Sequence, residues 1–282
     1  MKEKIIVSLT SYGKRLNNLP VVLDTMYAQT LPPDLVVLNL AYEEILPKDV
    51  ENYLRSHNVE INRVADTKVY KKIIPTLKKY PDDCIICIDD DWLYPPQMIE
   101  DFMNIHKKYP NNPISGNKFI YKGMQCHCGC ASLVKKEYFG EYLDLFDNDI
   151  YVNCKSDDVF YTYCAAKNNI PYVRTQNEYF LNMKSFNSIE SYSNCYPKCY
   201  VNTFDYLVRR FGPTKKMLAG YLCLGANDSI KNIVNDIEDY YIHEIGRVQM
   251  NCVELRKSES FRLGNFILSP FIGLKRIFRK KL

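Results

Sequence analysis

No apolar run in the 282-residue chain approaches the roughly 20 residues that a helix needs to cross a bilayer. Nor does the N-terminus offer a secretory leader. Met1-Lys2-Glu3-Lys4 is polar and leads at once into Ile5–Thr10, which reads as a first strand rather than an apolar leader core. A cytoplasmic location is the expectation. Glycine is scarce where a phosphate-cradling loop would need it, because Ser11-Tyr12-Gly13-Lys14-Arg15 carries one. A broad basic face is lacking too. From Arg256 to Leu282 eight lysines and arginines stand against Glu259 alone, a net +7, so the overall +4 leaves −3 for the rest. That balance excludes an extended nucleic-acid-binding surface, and no nucleic-acid partner is expected. The eleven cysteines are an odd number in a long chain without an export signal, so they read as reduced thiols.

What is present is ordinary for a globular domain: 46% apolar and 25% charged residues, enough for a sizeable core. Strands and helices alternate along the first half. Ile5–Thr10, Leu35–Leu40, Val59–Val64 and Cys84–Ile88 read as buried strands. Between and after them, helices are expected over about Leu16–Gln29, Leu46–Ser56 and Tyr70–Lys79, and after Pro95-Pro96. Ile114–Ile120, Ala131–Val134 and Pro171–Val173 read as further strands, and Asp157–Lys167 as a helix. This rhythm predicts an α/β fold with a mostly parallel, Rossmann-like central sheet flanked by helices. From about Tyr200 the chain turns helical and Tyr-rich, without a detectable repeat. The expected division is a catalytic domain over 1–199, a helical C-terminal extension over 200–259 and a basic tail over 260–282.

The most informative stretch is Cys84-Ile85-Ile86-Cys87-Ile88-Asp89-Asp90-Asp91-Trp92. Five apolar residues form a strand buried on both faces, and it runs into three carboxylates. Ligands of open α/β sheets bind beyond the carboxyl ends of the strands, where this triplet lies. Alternation along an extended segment turns Asp89 and Asp91 one way and Asp90 the other. Crowded carboxylates raise each other's pKa unless a cation compensates, and hard divalent ions favour such oxygen ligands. A solvated acidic turn is the plain alternative. Lys68, Lys71 and Lys72 could bring positive charge to the same region, although solvation at the surface is the more ordinary fate of such lysines.

Ile6–Tyr12, the strand ending in Asp89-Asp90-Asp91, Gly129-Cys130-Ala131-Ser132 and Ser156-Asp157-Asp158-Val159-Phe160 follow one another in an order that resembles bacterial GT-A glycosyltransferases. The similarity is to the family 2 type that builds capsular or lipopolysaccharide sugars, and it covers roughly residues 1–180. It implies a GT-A fold and a nucleotide-sugar donor, a UDP-sugar by expectation. Thr10, Ser11 and Tyr12 would border the nucleotide, Tyr12 near the base, and Asp66 would face the uracil. Asp66 also reads as an N-cap. Asp89 would lie near the ribose or pyrophosphate, with Asp90 beside it, and Asp91, with Asp89, would hold Mn²⁺ or Mg²⁺. Of the second acidic pair, Asp158 falls at the position of the general base, with Asp157 as the other candidate. The family's usual pair is Glu-Asp, so Asp-Asp is a departure. One base and direct displacement imply inversion at the anomeric carbon.

Rival chemistries fare less well. A haloacid dehalogenase-type phosphatase would carry its nucleophilic Asp on the first strand. A sugar nucleotidyltransferase would need the glycine-rich loop that Ser11–Arg15 does not supply. A non-catalytic nucleotide-sugar or glycan-binding module is the alternative outside enzymes. Cys126-His127-Cys128-Gly129-Cys130 invites zinc, with Cys195 and Cys199 as a second pair, but small packed residues beside an acceptor pocket are the simpler account. In the tail, Phe266, Ile267, Phe271, Leu274, Ile277 and Phe278 form an apolar face ringed by Lys275, Arg276, Arg279, Lys280 and Lys281. Such a segment suits peripheral attachment to the anionic inner face of a cell membrane, where a glycan or lipid-linked acceptor would lie. A helix docked on the catalytic domain is the alternative.

Overall fold

The computed structural model describes residues 3–116, 120–121, 124–127, 129–175, 181–182, 196–212 and 224–225. The tail over 260–282 lies outside them, and so do Cys128 and Cys195. No described helix is long and apolar enough to cross a membrane.

Eight strands form one sheet. They are β1 (Ile5–Thr10), β2 (Leu35–Ala41), β3 (Glu60–Val64), β4 (Cys84–Ile88), β6 (Ile114–Ser115), β9 (Ala131–Val134), β10 (Val173–Arg174) and β12 (Leu224–Gly225). Their order is β12-β10-β6-β9-β4-β1-β2-β3. All neighbours pair in parallel except β9, which runs antiparallel between β4 and β6, with Ile88 opposite Ala131. Four short segments form two ribbons beside the sheet: β5 (Trp92–Leu93) pairs antiparallel with β11 (Leu181–Asn182), and β7 (Ile120–Tyr121) with β8 (Met124–Gln125).

Alternation along β4 divides the core. Ile85 and Cys87 enter one apolar cluster with α3 (Ile74–Lys79), α8 (Asp157–Lys167) and α9 (Tyr196–Phe211). Cys84, Ile86 and Ile88 enter the other with α1 (Leu19–Tyr27), α2 (Lys48–Ser56) and α4 (Met98–Lys108). Short helices α5 (Lys136–Phe139), α6 (Glu141–Asp144) and α7 (Asn148–Asn153) close the first side. A strand with helices on both faces needs apolar side chains on both, which is why β4 reads as an unbroken run. Helix α9 packs against α8, with Tyr163 meeting Phe204 edge-on.

Two expected helices are divided. The segment expected over Leu16–Gln29 opens as a 3₁₀ turn at Gly13–Asn18, and α1 begins only at Leu19, with Pro20 in its first turn. The segment expected over Tyr70–Lys79 is a 3₁₀ turn over Lys68–Lys72, then α3 from Ile74, with Pro75 in its first turn. Proline lacks an amide hydrogen and fits only the opening of a helix, so each proline resets the start.

Candidate active site

Three parallel strands, β1, β3 and β4, and the start of α8 deliver the sequence-derived residues to one edge of the sheet. Thr10 ends β1 and donates its hydroxyl to the Asn39 carbonyl at 2.7 Å. Ser11 is buried beside Asp90, whereas Tyr12 is 42% exposed, with the Arg15 guanidinium 5.7 Å from its ring centre. Asp66 follows β3 and accepts from the Lys68 amide at 3.1 Å and from the ammonium groups of Lys68 and Lys71. These hydrogen bonds outweigh the cost of burial and hold its carboxyl well below the usual range.

The triplet after β4 splits as strand alternation requires. Asp90 is buried and forms an ion pair with Arg15, which also lies 3.0 Å from Asp91. Asp89 and Asp91 keep about a third of their side-chain surface open, 31% and 29%. Burial, and then the neighbouring Asp89 charge, push Asp91 up to about 6. The first cost of removing these carboxylates from water is therefore not fully offset by Arg15.

Lysine 72 corrects the expectation of solvated lysines. Its side chain is 6% exposed, and its ammonium lies 2.8 Å from Asp89 Oδ1, 3.3 Å from Asp157 Oδ2 and 3.1 Å from the Gly129 carbonyl, to which it donates. Burial alone would lower its pKa, but Asp157 and Asp89 hold it well above the ordinary lysine value. Lys71 is buried as well, against Asp66; Lys68 stays largely exposed. The burial of Lys72 originates in β1. Ser8, on the α3 side of that strand, donates to the Lys72 carbonyl at 2.5 Å and meets the Thr76 hydroxyl at 2.6 Å, while Asn39 Nδ2 donates to Thr76 at 2.8 Å. This polar knot fastens the 3₁₀ turn to the sheet and points Lys72 along it.

Helix α8 brings the second acidic pair. Ser156 caps it, accepting from the Val159 amide at 3.3 Å, so Asp157 and Asp158 occupy the positive end of the helix dipole. Asp158 accepts from the Gly129 amide at 2.8 Å. Burial, then the Asp157 charge, push Asp158 up to about 8. Gly129 is the hinge of the assembly, because its amide serves Asp158 and its carbonyl serves Lys72 and the Cys87 thiol. A Cβ there would lie 2.6 Å from the Lys72 ammonium and 3.2 Å from Asp158 Oδ1. Tyr94, also unforeseen in the sequence, fixes the strand end, accepting from the Asp89 amide at 2.9 Å and donating to the Cys130 carbonyl at 2.7 Å.

Five carboxylates thus converge on two cations, Arg15 and Lys72. With all five ionised, five minus two leaves three negative charges, and two when Asp158 holds its proton. That residual charge and the open faces of Asp89 and Asp91 fit a hard divalent cation, which takes carboxylate oxygens.

The cysteine motif is placed differently. Cys126 and His127 are buried; His127 donates its amide to Thr162 at 2.9 Å, and its Nδ1 lies 3.1 Å from the Tyr172 hydroxyl. Burial, then Lys72, keep its imidazole neutral by lowering its pKa. No metal-ligating group forms around Cys126 and His127 among the described residues.

The fold and the position of this cluster define an α/β protein of the GT-A type, with the carboxylates at the C-terminal edge of a mostly parallel sheet. The chain is similar in structure to the mannosyltransferase PcManGT from Pyrobaculum calidifontis in complex with GDP-Man and Mn²⁺, at a TM-score of 0.50 and 11% identity over 99% of this chain and 88% of that one. S. aureus TarS in complex with UDP aligns at a TM-score of 0.48 and 11% identity, over 63% of this chain and 59% of that chain. A 4-diphosphocytidyl-2C-methyl-D-erythritol synthase aligns at 0.43 and 13%, over 63% of this chain and 90% of that chain. No protein-family model and no curated protein matches the sequence.

Proposed function

We propose that the chain is an inverting, metal-dependent glycosyltransferase that moves a sugar from a nucleotide-sugar donor, a UDP-sugar by our reading, to a hydroxyl of a glycan or lipid-linked acceptor in surface polysaccharide synthesis. The observation that carries the proposal is the joining of the β4 carboxylates to the α8 carboxylates through one buried lysine. Transfer needs two electrostatic tasks side by side: neutralising a departing diphosphate and removing a proton from an incoming hydroxyl. The two ends of the cluster are suited to these tasks.

On the donor side, Tyr12 offers an exposed ring for the base, and Thr10, Ser11 and Asp66 border the nucleotide. Asp91 and Asp89 would hold Mn²⁺ or Mg²⁺, which supplies Lewis-acid neutralisation of the diphosphate when bound. Asp90 serves this side by fixing Arg15. On the acceptor side, Asp158 takes the proton as the hydroxyl oxygen attacks the anomeric carbon and the bond to the diphosphate oxygen breaks. A carboxyl pushed up to about 8 is a better matched base for a sugar hydroxyl than one at an ordinary value, provided the pH is high enough to ionise it. Asp157, held by Lys72, supports Asp158 by its charge. The P. calidifontis mannosyltransferase, which holds GDP-Man and Mn²⁺ on a similar fold, supports the donor class but not the choice of nucleotide.

Residues 1–199 would form the catalytic domain, 200–259 an extension and 260–282 an anchor at the inner membrane surface. Incubation with a panel of nucleotide sugars and Mn²⁺ tests the reading. Release of nucleoside diphosphate that requires both Asp91 and Asp158 supports it. Formation of a nucleotide sugar from a sugar phosphate, with pyrophosphate as the second product, would instead identify a nucleotidyltransferase. Binding without turnover would identify a non-catalytic nucleotide-sugar or glycan-binding module.

A further inference from the structure

At the opposite edge of the sheet, three metal-ligating side chains from three separate elements meet. Glu3 precedes β1, Cys84 opens β4, and His106 lies in the last turn of α4. One donor atom from each lies within 4.8 Å of the others. The convergence is built by backbone pairing, because Cys84 stands opposite Ile5 in the β1–β4 register and donates its amide to the Lys4 carbonyl at 3.0 Å. Cys84 to Asp89 spans five residues of extended chain, about 16 Å at roughly 3.3 Å per residue, so this group is separate from the carboxylate cluster.

We propose that Glu3, Cys84 and His106 form a zinc-binding site that staples the segment before β1 to β4 and α4. Thiolate, imidazole and carboxylate together are a zinc donor set, whereas Mg²⁺ and Ca²⁺ take oxygen ligands. Tetrahedral ligands about 2.0–2.3 Å from zinc stand roughly 3.5 Å apart, so the observed spread closes with small side-chain rotations. The two carboxylate oxygens of Glu3 are already assigned separate tasks. Oε1 accepts from the Lys135 ammonium at 2.8 Å, while Oε2 faces His106 Nε2 at 3.4 Å. Lys135 thereby orients the carboxylate, and the Cys84 thiol already hydrogen-bonds to Glu3, a thiol proton that zinc would displace when the thiolate ligates. His106 is buried with its Nε2 turned toward the Glu3 carboxylate, so this ring nitrogen is the one placed to ligate. Cys84 is fully buried and Glu3 is about a third exposed, so the open side for a fourth ligand, a water, lies past Glu3.

Zinc K-edge X-ray absorption on the wild-type chain loaded with one equivalent of Zn²⁺ tests the site without any variant. One sulfur and three nitrogen or oxygen ligands are expected. A shell without sulfur, or with two or more sulfurs as a site at Cys126–Cys130 would give, overturns the proposal. Competition with a chromophoric chelator provides the second arm. Cys84→Ser and His106→Gln should each weaken zinc binding at least tenfold, whereas Asp91→Asn should leave this high-affinity zinc in place. Unchanged affinity in folded Cys84→Ser also overturns the proposal. Cobalt in the wild-type chain should give a thiolate charge-transfer band, and its absence counts against the site in the same way.

Discussion

Replacing Lys72 by Met removes the charge that, among the described residues, links the two acidic clusters, while keeping most of the side-chain volume. Asp89 and Asp157 then lose their common partner; Asp89 still reaches water, but Asp157 is left buried without it. Breaking a buried ion pair from one side costs about 3–5 kcal/mol, because the remaining charge stays desolvated. For a domain of 150–250 residues each kcal/mol shifts Tm by about 2–4 °C, so the variant should melt some 6–20 °C lower. Since the folded-state pKa of Lys72 is raised, its stabilisation is fully present below the unfolded lysine value and is lost only as pH rises through the folded value. The deficit should therefore be undiminished at pH 7. Thermal unfolding followed by circular dichroism measures it. Adding Asp157→Asn to Lys72→Met should restore a large part of the loss, since the double variant no longer buries an unpaired carboxylate there. A Tm within 1–2 °C of wild type, less than about 1 kcal/mol, would refute the placement of Lys72 at the centre of the cluster.

Gly129→Ala should cost about 1–3 kcal/mol of stability by forcing a methyl against Lys72 and Asp158, and should reduce turnover more than donor binding, measured by steady-state kinetics and calorimetry. Asp158 has a folded pKa of about 8, above the unfolded value of about 3.9, so the stability it contributes is present at low pH and is lost as pH rises from about 4 to 8. Asp158→Asn should slow transfer at least a hundredfold yet flatten that loss, so that its denaturation midpoint exceeds that of wild type at pH 9. In the wild type, kcat/KM should rise with pH towards about 8. Arg15→Met leaves Asp90 buried without its partner and should lower both Tm and donor affinity, read by differential scanning fluorimetry with and without nucleotide. Deleting residues 260–282 should release the protein from anionic vesicles in a sedimentation assay.

The parts of the fold that can be read from sequence are those fixed by local pattern. β4 and α8 have the bounds expected of them, Cys84–Ile88 and Asp157–Lys167, because a continuous apolar run and a Ser156 cap are local signals. The inward turn of Asp90 between two open neighbours follows from strand alternation in the same way. The direction of β9 is not local. Nothing within Ala131–Val134 says whether it runs with or against β4, and its reversal places Gly129 beside the β4 carboxylates. The burial of Lys72 was equally unreadable. A lysine beside Lys71 and close to exposed Lys68 looks solvated until Ser8 and Asn39, distant in sequence, are seen to tie its turn to the sheet, directly and through nearby Thr76. Buried serine and threonine inside otherwise apolar strands and helices were the available hint, since such hydroxyls need partners.

The central claim is that the β4 and α8 carboxylates divide one reaction between them. The most direct measurement is isothermal titration of the donor nucleoside diphosphate with Mn²⁺, paired with sugar transfer from the same donor, in Asp91→Asn and Asp158→Asn. The account predicts that Asp91→Asn loses both metal-dependent binding and transfer. It predicts that Asp158→Asn binds within about threefold of wild type but transfers at least a hundredfold more slowly, the size of a general-base contribution. Wild-type turnover in folded Asp158→Asn, or metal-dependent binding unchanged in Asp91→Asn, would contradict it.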